Sequence, residues 1–311
     1  MNDSARKRLQ LTVICPVYNE EESVSIFVDR FDAVREQLLA SYDVDLIFTN
    51  NASIDGTLEL IRSLSEQKPY IYFATLSRNA GYQISMECGL KMAKGDLFTF
   101  IDVDCEDPPE MIIDFIREFE SGEYDIIYGE RSDREEAFLL KQARKLFYRL
   151  LKEVGDDEII LDMAEFSLFT REVRDAIIQE TTAYPFIRAS IGRVGFRRKA
   201  ISYKRNKRAA GSSKFSAQRL TWFALAGIFA STSLPLLIPI RVLPAFMVII
   251  IGLAIWRVFD HSRVVEGAII VLLSVYLACS AAFIAIYTRR TYKNSMRRPN
   301  FFISEKYSRL Q

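Results

Sequence analysis

Short apolar runs alternate with amphipathic stretches over the first 130 residues of the chain. The runs are rich in β-branched and aromatic side chains, which favours buried strands. Five strands are predicted, at Leu11–Pro16, Val44–Thr49, Tyr70–Leu76, Leu97–Ile101 and Asp125–Tyr128. Helical patterns separate them, at residues 19–39, 81–93 and 108–120, with a further one that starts near residue 57. This alternation predicts an α/β fold with a mostly parallel sheet.

From residue 220 the chain becomes predominantly apolar. Three stretches carry no charge: 21 residues at Leu220–Ile240, 15 at Val242–Trp256 and 22 at Gly267–Thr288. Because a membrane span needs roughly 20 apolar residues, we predict an interfacial helix at 216–235 and two spans within 236–288, at 236–257 and 265–288. Pro235 and Pro239 are expected to mark the bend between the interfacial helix and the first span. Three buried core helices are the weaker interpretation.

Charge divides the chain at a similar place. Residues 1–200 hold 25 Lys and Arg against 37 Asp and Glu, whereas residues 201–311 hold 16 against 3. The basic residues cluster on both sides of the apolar region, and the positive-inside rule then places both flanks in the cytoplasm. We therefore predict a cytoplasmic domain at 1–215 and a basic cytoplasmic tail at 289–311 of an inner-membrane protein. Basic residues that flank apolar runs favour a membrane surface over nucleic acid.

The cysteines and the single histidine form no recognisable cluster. Cys15, Cys88, Cys105 and Cys279 include no C-x-x-C pair, and none is grouped with His261. This spacing argues against a disulfide framework and a zinc site, and it favours reduced thiols in a cytoplasmic compartment.

The sharpest chemical motif is Asp102-Val-Asp104-Cys-Glu106, which directly follows the fourth predicted strand. If the extended alternation continues, the three carboxylates point to one side. Hard oxygen ligands of this kind suit Mg²⁺ or Mn²⁺, with substrate phosphates completing the coordination shell. A D-x-D pattern alone is mostly a solvated turn. Its position after a buried strand, and the Pro-Pro pair that follows, favour a metal site here.

Polar groups also follow the first two strands. Tyr18 can stack on a nucleotide base and Glu20 can accept hydrogen bonds from base or ribose, while Asn51 can read a base edge. The alternative is ordinary turn chemistry, with a Pro turn and a helix-capping Asn19.

Two basic segments have open interpretations. The segment from Arg208 to Lys214 could neutralise a departing diphosphate, or it could form a basic patch on anionic lipid. Residues 138–153 form a basic amphipathic pattern, which suits either a surface helix or a helix that contacts the membrane.

Taken in order, these motifs resemble family 2 of the glycosyltransferases, which has the GT-A fold. The resemblance is carried by PVYNEEES, NNASIDGT, SRNAGYQISMECGL, GDLFTFIDVDCEDPPEMI, YGERSDR, AEFSLFTR and RAAGSSKF, and it continues into the two spans and the tail. More narrowly, the chain looks like bacterial polyprenyl-phosphate glycosyltransferases and dolichol-phosphate mannose synthases.

The resemblance implies a role for each motif position. The residues that would line the nucleotide pocket are Pro16, Tyr18, Glu20, Thr49 and Asn51. Asp102, Asp104 and Glu106 would hold the metal and the diphosphate, and Arg131 would sit near the phosphates. Arg208 and Lys214 would close over the donor. Glu165 falls where relatives carry an acid near the acceptor, so Asp104, Arg131 and Glu165 are the expected catalytic residues.

Three positions depart from the family pattern. Relatives usually have Asp where Asn51 stands, often Gln where Glu106 stands, and the bacterial subgroup often has Arg where Ser167 stands. The last change leaves the acceptor phosphate without an obvious partner, and Arg144 or Arg149 is the suggested substitute.

The resemblance implies a metal-dependent, inverting transfer of a hexose from a nucleotide sugar to polyprenyl (undecaprenyl) phosphate. UDP-glucose is the first candidate donor, and UDP-N-acetylglucosamine, UDP-galactose and GDP-mannose stay open. Two alternatives stay open as well: a processive polysaccharide synthase, and an inactive membrane scaffold that keeps the fold. The sequence does not fix the oligomeric state, and a homo-oligomer is among the alternatives.

Overall fold

The computed structural model of the chain describes residues 8–131, 163–208, 229, 232–259 and 263–311. Lys214, the basic segment at 138–153 and most of the expected interfacial helix at 216–235 lie outside these residues. The boundary between the first domain and the interfacial helix therefore stays a prediction.

The centre of the first domain is a seven-stranded sheet. Its strands are β1 (Leu9–Val17), β2 (Tyr42–Asn50), β3 (Ile71–Thr75), β4 (Leu97–Phe100), β5 (Ile126–Arg131), β6 (Met163–Thr170) and β7 (Arg198–Tyr203). They lie in the order β3-β2-β1-β4-β6-β5-β7. All neighbouring pairs are parallel except those that β6 makes with β4 and β5, so the predicted mostly parallel sheet is confirmed.

Helices connect the strands and cover both faces of the sheet. They are α1 (Glu21–Leu38), α2 (Thr57–Gln67), α3 (Tyr82–Met92), α4 (Met111–Phe119), α5 (Arg171–Ile178) and α6 (Ile187–Arg193). The five predicted strands and the predicted helices between them are present, with small differences at their ends. The sequence pattern did not predict β6, α5, α6 or β7.

Apolar side chains on the two faces of the sheet form two buried clusters. On β1, Val13 faces the cluster under α1 and α4, while its neighbour Ile14 faces the cluster under α3, α5 and α6. The α1 helix contributes Phe27 and Phe31, whose fully buried rings lie 6.0 Å apart. Burying each such ring stabilises the fold by about 1.5–3 kcal/mol. The packed sheet therefore holds the loops at its carboxyl edge in fixed positions.

Two long apolar helices follow the sheet domain, α7 (Leu234–Phe259) and α8 (Arg263–Ser295). Both are long and apolar enough to cross a membrane, and their apolar stretches are not buried against the rest of the protein. The helices pack on each other through Phe246 and Tyr276, whose stacked rings lie 4.5 Å apart. The structure thus contains the two helices that the apolar runs predicted.

The first helix, α7, contains three prolines. Pro235 lies in the first turn of the helix, where a proline is tolerated, but Pro239 and Pro244 lie inside it. The helix therefore continues through Pro239, and the bend predicted at Pro235 and Pro239 stays a prediction. The Pro239 carbonyl accepts a hydrogen bond from the Tyr276 hydroxyl of α8 at 3.1 Å, which ties the two helices together at this level.

The segment after α8 returns to the sheet domain and covers its open edge at β3. The amides of Phe73 and Arg309 each donate to the other's carbonyl, at 2.9 and 2.8 Å, and a second bridge joins Leu76 and Ile303. Phe301 and Ile303 pack against the small buried cluster beside α3. An exposed strand edge is otherwise a template for aggregation. The predicted basic tail is thus an integral part of the sheet domain.

Candidate active site

The loops that follow the parallel strands β1 and β2 are bound to each other. The Asn19 amide donates to Ser53 Oγ at 3.0 Å, and the Ile54 amide donates to Asn19 Oδ1 at 2.8 Å. Asn19 and Ala52 have φ values of 54° and 56°, in the left-handed region, so both loops turn sharply at these residues. Both loops thus lie at the carboxyl edge of the sheet, where ligands bind in open α/β sheets.

Two of the predicted nucleotide-pocket residues, Thr49 and Asn51, are buried and form hydrogen bonds within the protein. Thr49 is buried in β2, where its Oγ1 accepts a hydrogen bond from Ser85 Oγ at 3.0 Å. Asn51 is also buried, and its Oδ1 accepts the Ala80 amide at 2.8 Å while its Nδ2 donates to Asn79 at 3.1 Å. In this structure Asn51 holds the loop before α3 instead of presenting its amide group to the edge of the sheet.

The other three lie at the end of β1. Pro16 is buried within the strand, whereas Tyr18 and Glu20 are partly exposed in the loop that follows. The Glu20 amide donates to Thr57 Oγ1 at 2.8 Å, and its Oε2 accepts from Ser23 Oγ at 3.0 Å. Tyr18 and Glu20 are therefore the members of the predicted set that present polar side chains at the open edge.

Asp102 lies just beyond β4 and accepts a hydrogen bond from the Tyr82 hydroxyl at 2.8 Å. Burial, together with the nearby charges of Asp104 and Asp107, raises the pKa of Asp102 to about 7. Crowding of negative charge opposes ionisation of this carboxyl group, and a cation beside it would relieve that repulsion.

The three carboxylates of the DVDCE motif do not converge as the extended alternation predicted. Cys105 has φ 57°, which breaks the extended backbone between Asp104 and Glu106. Asp104 Oδ1 accepts the Glu106 amide at 3.0 Å, while the Glu106 carboxylate pairs with Arg205 at 2.7 Å. Within the described parts of the chain, no three Asp, Glu, His or Cys side chains are grouped as metal ligands. Asp102 and Asp104 therefore remain the candidate metal ligands. The prediction that the Glu106 carboxylate lies on the same side as theirs is wrong.

Arg208 connects the loop after β1 with the loop after β4. Its Nη2 donates to Glu20 Oε1 at 2.7 Å and lies 3.8 Å from Asp104 Oδ2. Arg208 follows β7, far along the chain from both carboxylates, so the fold brings it to the edge where the sequence expected it.

Arg131 is held by a buried carboxylate that the sequence analysis did not select. Asp107 is 2% exposed and accepts hydrogen bonds from Arg131 Nη2 at 3.1 Å, Tyr203 Oη at 2.5 Å and Arg205 Nε at 3.0 Å. These contacts join β5, β7 and the loop after β4. The predicted contact of Arg131 with phosphates stays a prediction, because its Nη2 is engaged with Asp107 here.

Glu165 lies on β6 and is buried beside two polar side chains. Its Oε2 accepts from Arg188 Nη2 of α6 at 2.5 Å, and its Oε1 accepts from Gln83 Nε2 of α3 at 3.4 Å. Tyr82, the residue before Gln83, binds the other key carboxylate, Asp102. The first turn of α3 therefore contacts both acids.

Sequence reasoning missed Tyr82, Gln83, Asp107 and Arg188 as contributors to this site. A signal for the first two was the glycine directly before α3, because Gly81 has φ 96°, a conformation that side chains rarely adopt. Arg188 gave no local signal, since its partner Glu165 lies on a different element, 23 residues away.

The family model for glycosyl transferase family 2 matches residues 12–178, which is more than half of the chain and extends from within β1 to the end of α5. The chain belongs to family 2 of the glycosyltransferases. The fold of this glycosyltransferase is similar to that of mannosyl-3-phosphoglycerate synthase from Rubrobacter xylanophilus, with a TM-score of 0.51 and 16% identity over 71% of this chain and 72% of that one. The GT-A fold that the motifs predicted is confirmed.

Two relatives show how far the similarity of this glycosyltransferase extends. The uncharacterized glycosyltransferase YkcC of Bacillus subtilis is 33% identical over 231 residues, covering 74% of this chain and 71% of the relative. The prophage bactoprenol glucosyl transferase homolog of Escherichia coli strain K12 is 30% identical over 307 residues, covering 95% and 98%. The second similarity therefore includes the region of α7 and α8.

The site of this glycosyltransferase has the chemistry that a divalent metal requires. Asp102 and Asp104 offer hard oxygen donors, and burial, followed by the charges of Asp104 and Asp107, raises the pKa of Asp102. Mg²⁺ is usually bound through one or two protein carboxylates, with waters and substrate phosphates as the other ligands. Two carboxylates therefore fit Mg²⁺, and Mn²⁺ accepts the same oxygen donors.

Proposed function

We propose that this glycosyltransferase moves a hexose from a nucleotide sugar to the phosphate of a polyprenyl phosphate such as undecaprenyl phosphate. UDP-glucose is the first candidate donor. The observation that carries the proposal is that one chain joins an acidic site, with Asp102, Asp104 and Glu165, to two helices long enough to cross a membrane. A donor that dissolves in water and an acceptor that stays in lipid need this combination. The relative named as a bactoprenol glucosyl transferase homolog, similar along nearly its full length, supports the same acceptor class.

We place the reaction on the cytoplasmic face of the inner membrane. The basic clusters on both sides of α7 and α8 support this orientation, because basic flanks are retained in the cytoplasm. Two spans return the chain to the side on which the sheet domain lies. The pairing of the segment after α8 with β3 agrees with this arrangement, since it requires both ends of the helical hairpin on one side.

The donor would bind at the edge formed by the loops after β1, β2 and β4. Tyr18 and Glu20 would contact the nucleoside, and Asp102 and Asp104 would hold Mg²⁺ or Mn²⁺ together with the diphosphate. The metal would supply charge neutralisation for the departing diphosphate. Arg208, already 3.8 Å from Asp104, would neutralise the same group, with Lys214 as its predicted partner.

The chemical step would be a single displacement. An oxygen of the lipid phosphate forms a bond to the anomeric carbon, and the bond from that carbon to the diphosphate breaks, its electron pair leaving with the nucleoside diphosphate. A lipid phosphate is already ionised at neutral pH, so no strong base is required. Glu165 would orient the acceptor, and catalysis would depend on positioning and charge. One displacement inverts the anomeric configuration.

The test is transfer of labelled sugar into lipid by the detergent-purified protein. A panel of radiolabelled nucleotide sugars is offered with undecaprenyl phosphate and Mn²⁺ or Mg²⁺, and label in the organic phase is counted. We expect transfer from one donor, abolished by a chelator and by Asp104→Ala. Asp114→Asn is the matched control, because Asp114 is an exposed acid on α4 that pairs only with Arg117 among its described contacts.

Each result has a defined meaning. Absence of transfer from every donor by folded protein would contradict the proposal, and retention of the anomeric configuration would contradict the single displacement. A product with several sugars on one lipid would support the processive alternative instead.

A further inference from the structure

A short ion pair joins Glu165 and Arg188 on the β6 side of the site. The two side chains are 11% and 26% exposed, and Arg188 Nη2 lies 2.5 Å from Glu165 Oε2. Gln83 braces the pair, because its Oε1 accepts the Ile187 amide at 2.8 Å while its Nε2 donates to Glu165 Oε1. The start of α6 is thus fixed against α3, and Arg188 is held in one orientation.

Only part of the Arg188 guanidinium is used by this contact. Its Nε is buried and has no hydrogen-bond partner among the described residues. A buried donor without a partner is costly, so such groups usually meet an acceptor in the working state of a protein. In a guanidinium, Nε and Nη2 lie on one edge, and arginine binds the oxygens of a phosphate or carboxylate through such an edge. Glu165 accepts from Nη2 on that edge, so Nε is the donor on the same edge that a second oxyanion would bind.

The surrounding charges indicate which oxyanion this is. The other arginines described at the site each have carboxylate partners: Arg131 with Asp107, Arg205 with Glu106 and Asp107, and Arg208 with Glu20. Arg208 and the carboxylates of the β4 loop lie where the donor diphosphate would bind. Arg188 also has a carboxylate partner, Glu165, but it lies on α6, beside β6 and away from the loops of the donor edge.

We propose that Arg188 is a binding residue for the phosphate group of the acceptor, which it contacts through Nε while Glu165 fixes the guanidinium from the other end of the same edge. The ligand class is a phosphate monoester on a lipid chain. The assignment rests on the proposed function, since it takes the acceptor from it. Arg188 positions the attacking oxygen in a site that carboxylates otherwise make repulsive to anions.

The test measures equilibrium binding of undecaprenyl phosphate to detergent-purified protein without any donor. Arg188→Gln removes the charge and Arg188→Lys keeps the charge but loses the planar fork. The control is Arg193→Gln on the same helix, which pairs with Glu180. We expect Arg188→Gln to weaken phosphate-lipid binding about 10- to 100-fold and Arg188→Lys to weaken it less, while Arg193→Gln changes it less than about twofold.

Two further arms identify what Arg188 contacts. Undecaprenol, which lacks the phosphate, should bind the wild type and Arg188→Gln equally, whereas inorganic phosphate should compete with the phosphorylated lipid in the wild type only. In a Glu165→Gln background, Arg188→Gln should still weaken binding, because the contact is direct. Unchanged lipid binding, or an effect that vanishes in the Glu165→Gln background, overturns the proposal and leaves Arg188 as a positioning residue for Glu165.

Donor measurements separate this proposal from the proposed function. The affinity for the nucleotide sugar should be the same in Arg188→Gln and the wild type, whereas the melting temperature should fall because Glu165 loses its ion-pair partner. If the wild type binds phosphorylated lipid through Arg188 but transfers no sugar to it, the proposed function fails while the Arg188 assignment stands. If transfer occurs and Arg188→Gln binds the lipid normally, the Arg188 assignment fails while the proposed function stands.

Discussion

The proposed donor side and the proposed acceptor side of the candidate active site are built in different ways. On the donor side, the carboxylates of Asp102 and Asp104 come from one short loop. Neighbouring loops there are joined by hydrogen bonds such as that from the Asn19 amide to Ser53 Oγ. On the acceptor side, Glu165 and Arg188 come from β6 and α6 and meet only through an ion pair. Asp102 and Asp104 lie two residues apart, so the end of β4 places both of them. The acceptor side depends instead on how β6, α6 and α3 pack together.

The first turn of α3 joins the two sides. Tyr82 donates to Asp102, and Gln83, the next residue, donates to Glu165. Movement of this turn would change both carboxylates together, so the donor and acceptor sides are expected to be mechanically coupled. Substitutions that act on one side, on the other, or on this turn can separate the contributions.

The largest effect is expected on the donor side. Asp102→Asn removes a charge that would face the metal and the diphosphate, and it should lower kcat by about 10³-fold. The measurement is the initial rate of transfer to undecaprenyl phosphate at saturating donor. Asp114→Asn should retain the wild-type rate, and a loss below tenfold in Asp102→Asn would place the metal elsewhere.

On the acceptor side we expect a smaller loss of rate. Glu165→Gln keeps the size of the side chain but removes its charge, which loosens Arg188 and the attacking phosphate, so kcat should fall about 10- to 100-fold. Donor affinity should not change, because no described contact links Glu165 to the loops after β1 and β2. A parallel loss of donor affinity would show that the two sides cannot be treated separately.

The turn that joins the two sides can be disturbed through Gly81. Its φ of 96° disfavours any side chain, so Gly81→Ala should cost about 1–3 kcal/mol of stability and should lower kcat by displacing Tyr82 and Gln83. Gly122→Ala is the matched control, because Gly122 also has a positive φ, 74°, but lies between α4 and β5. The control should lose stability and keep its kcat. Equal kcat values in the two variants would disprove the coupling.

The smallest effect is expected at the segment that covers β3. Ile303 packs on the cluster beside α3, so Ile303→Ala should lower the free energy of unfolding by about 1–2 kcal/mol. Phe302→Ala is the neighbouring control, since its side chain is 63% exposed and its loss should cost less than about 0.5 kcal/mol. Thermal unfolding in detergent measures both variants. Equal midpoints would mean that the segment does not stabilise the sheet domain.

The outcome at Glu106 shows the limit of reasoning from a strand pattern. The motif Asp102-Val-Asp104-Cys-Glu106 was interpreted as continuing the alternation of β4, which brought three carboxylates together. The strand ends at Phe100, and Cys105 adopts a left-handed conformation that turns Glu106 toward Arg205. Strand periodicity holds only while the ladder of hydrogen bonds holds, and a loop follows its own contacts instead.

Asn51 and the segment after α8 both make contacts with residues that lie far away in the sequence. The sequence predicts Asn51 in the nucleotide pocket, and the structure adds contacts of its side chain with Asn79 and Ala80 in the loop before α3. Residues 289–311 were expected to be a basic tail, yet their last part pairs with β3. In both cases the partner lies far away in sequence, so no local pattern could indicate it.

The sequence by itself determined the α/β order, the two apolar helices, and the placement of Asp102 and Asp104 at the carboxyl edge of the sheet. These follow from hydrophobic periodicity and from the rule that parallel strands place their carboxyl ends together, both of which act over short stretches of chain. The tertiary structure alone decided that Arg188 meets Glu165, that Asp107 holds Arg131, and that Tyr82 and Gln83 bridge the two acids. Those contacts depend on how β6, α6 and α3 pack, which is fixed by the shape of the shared core.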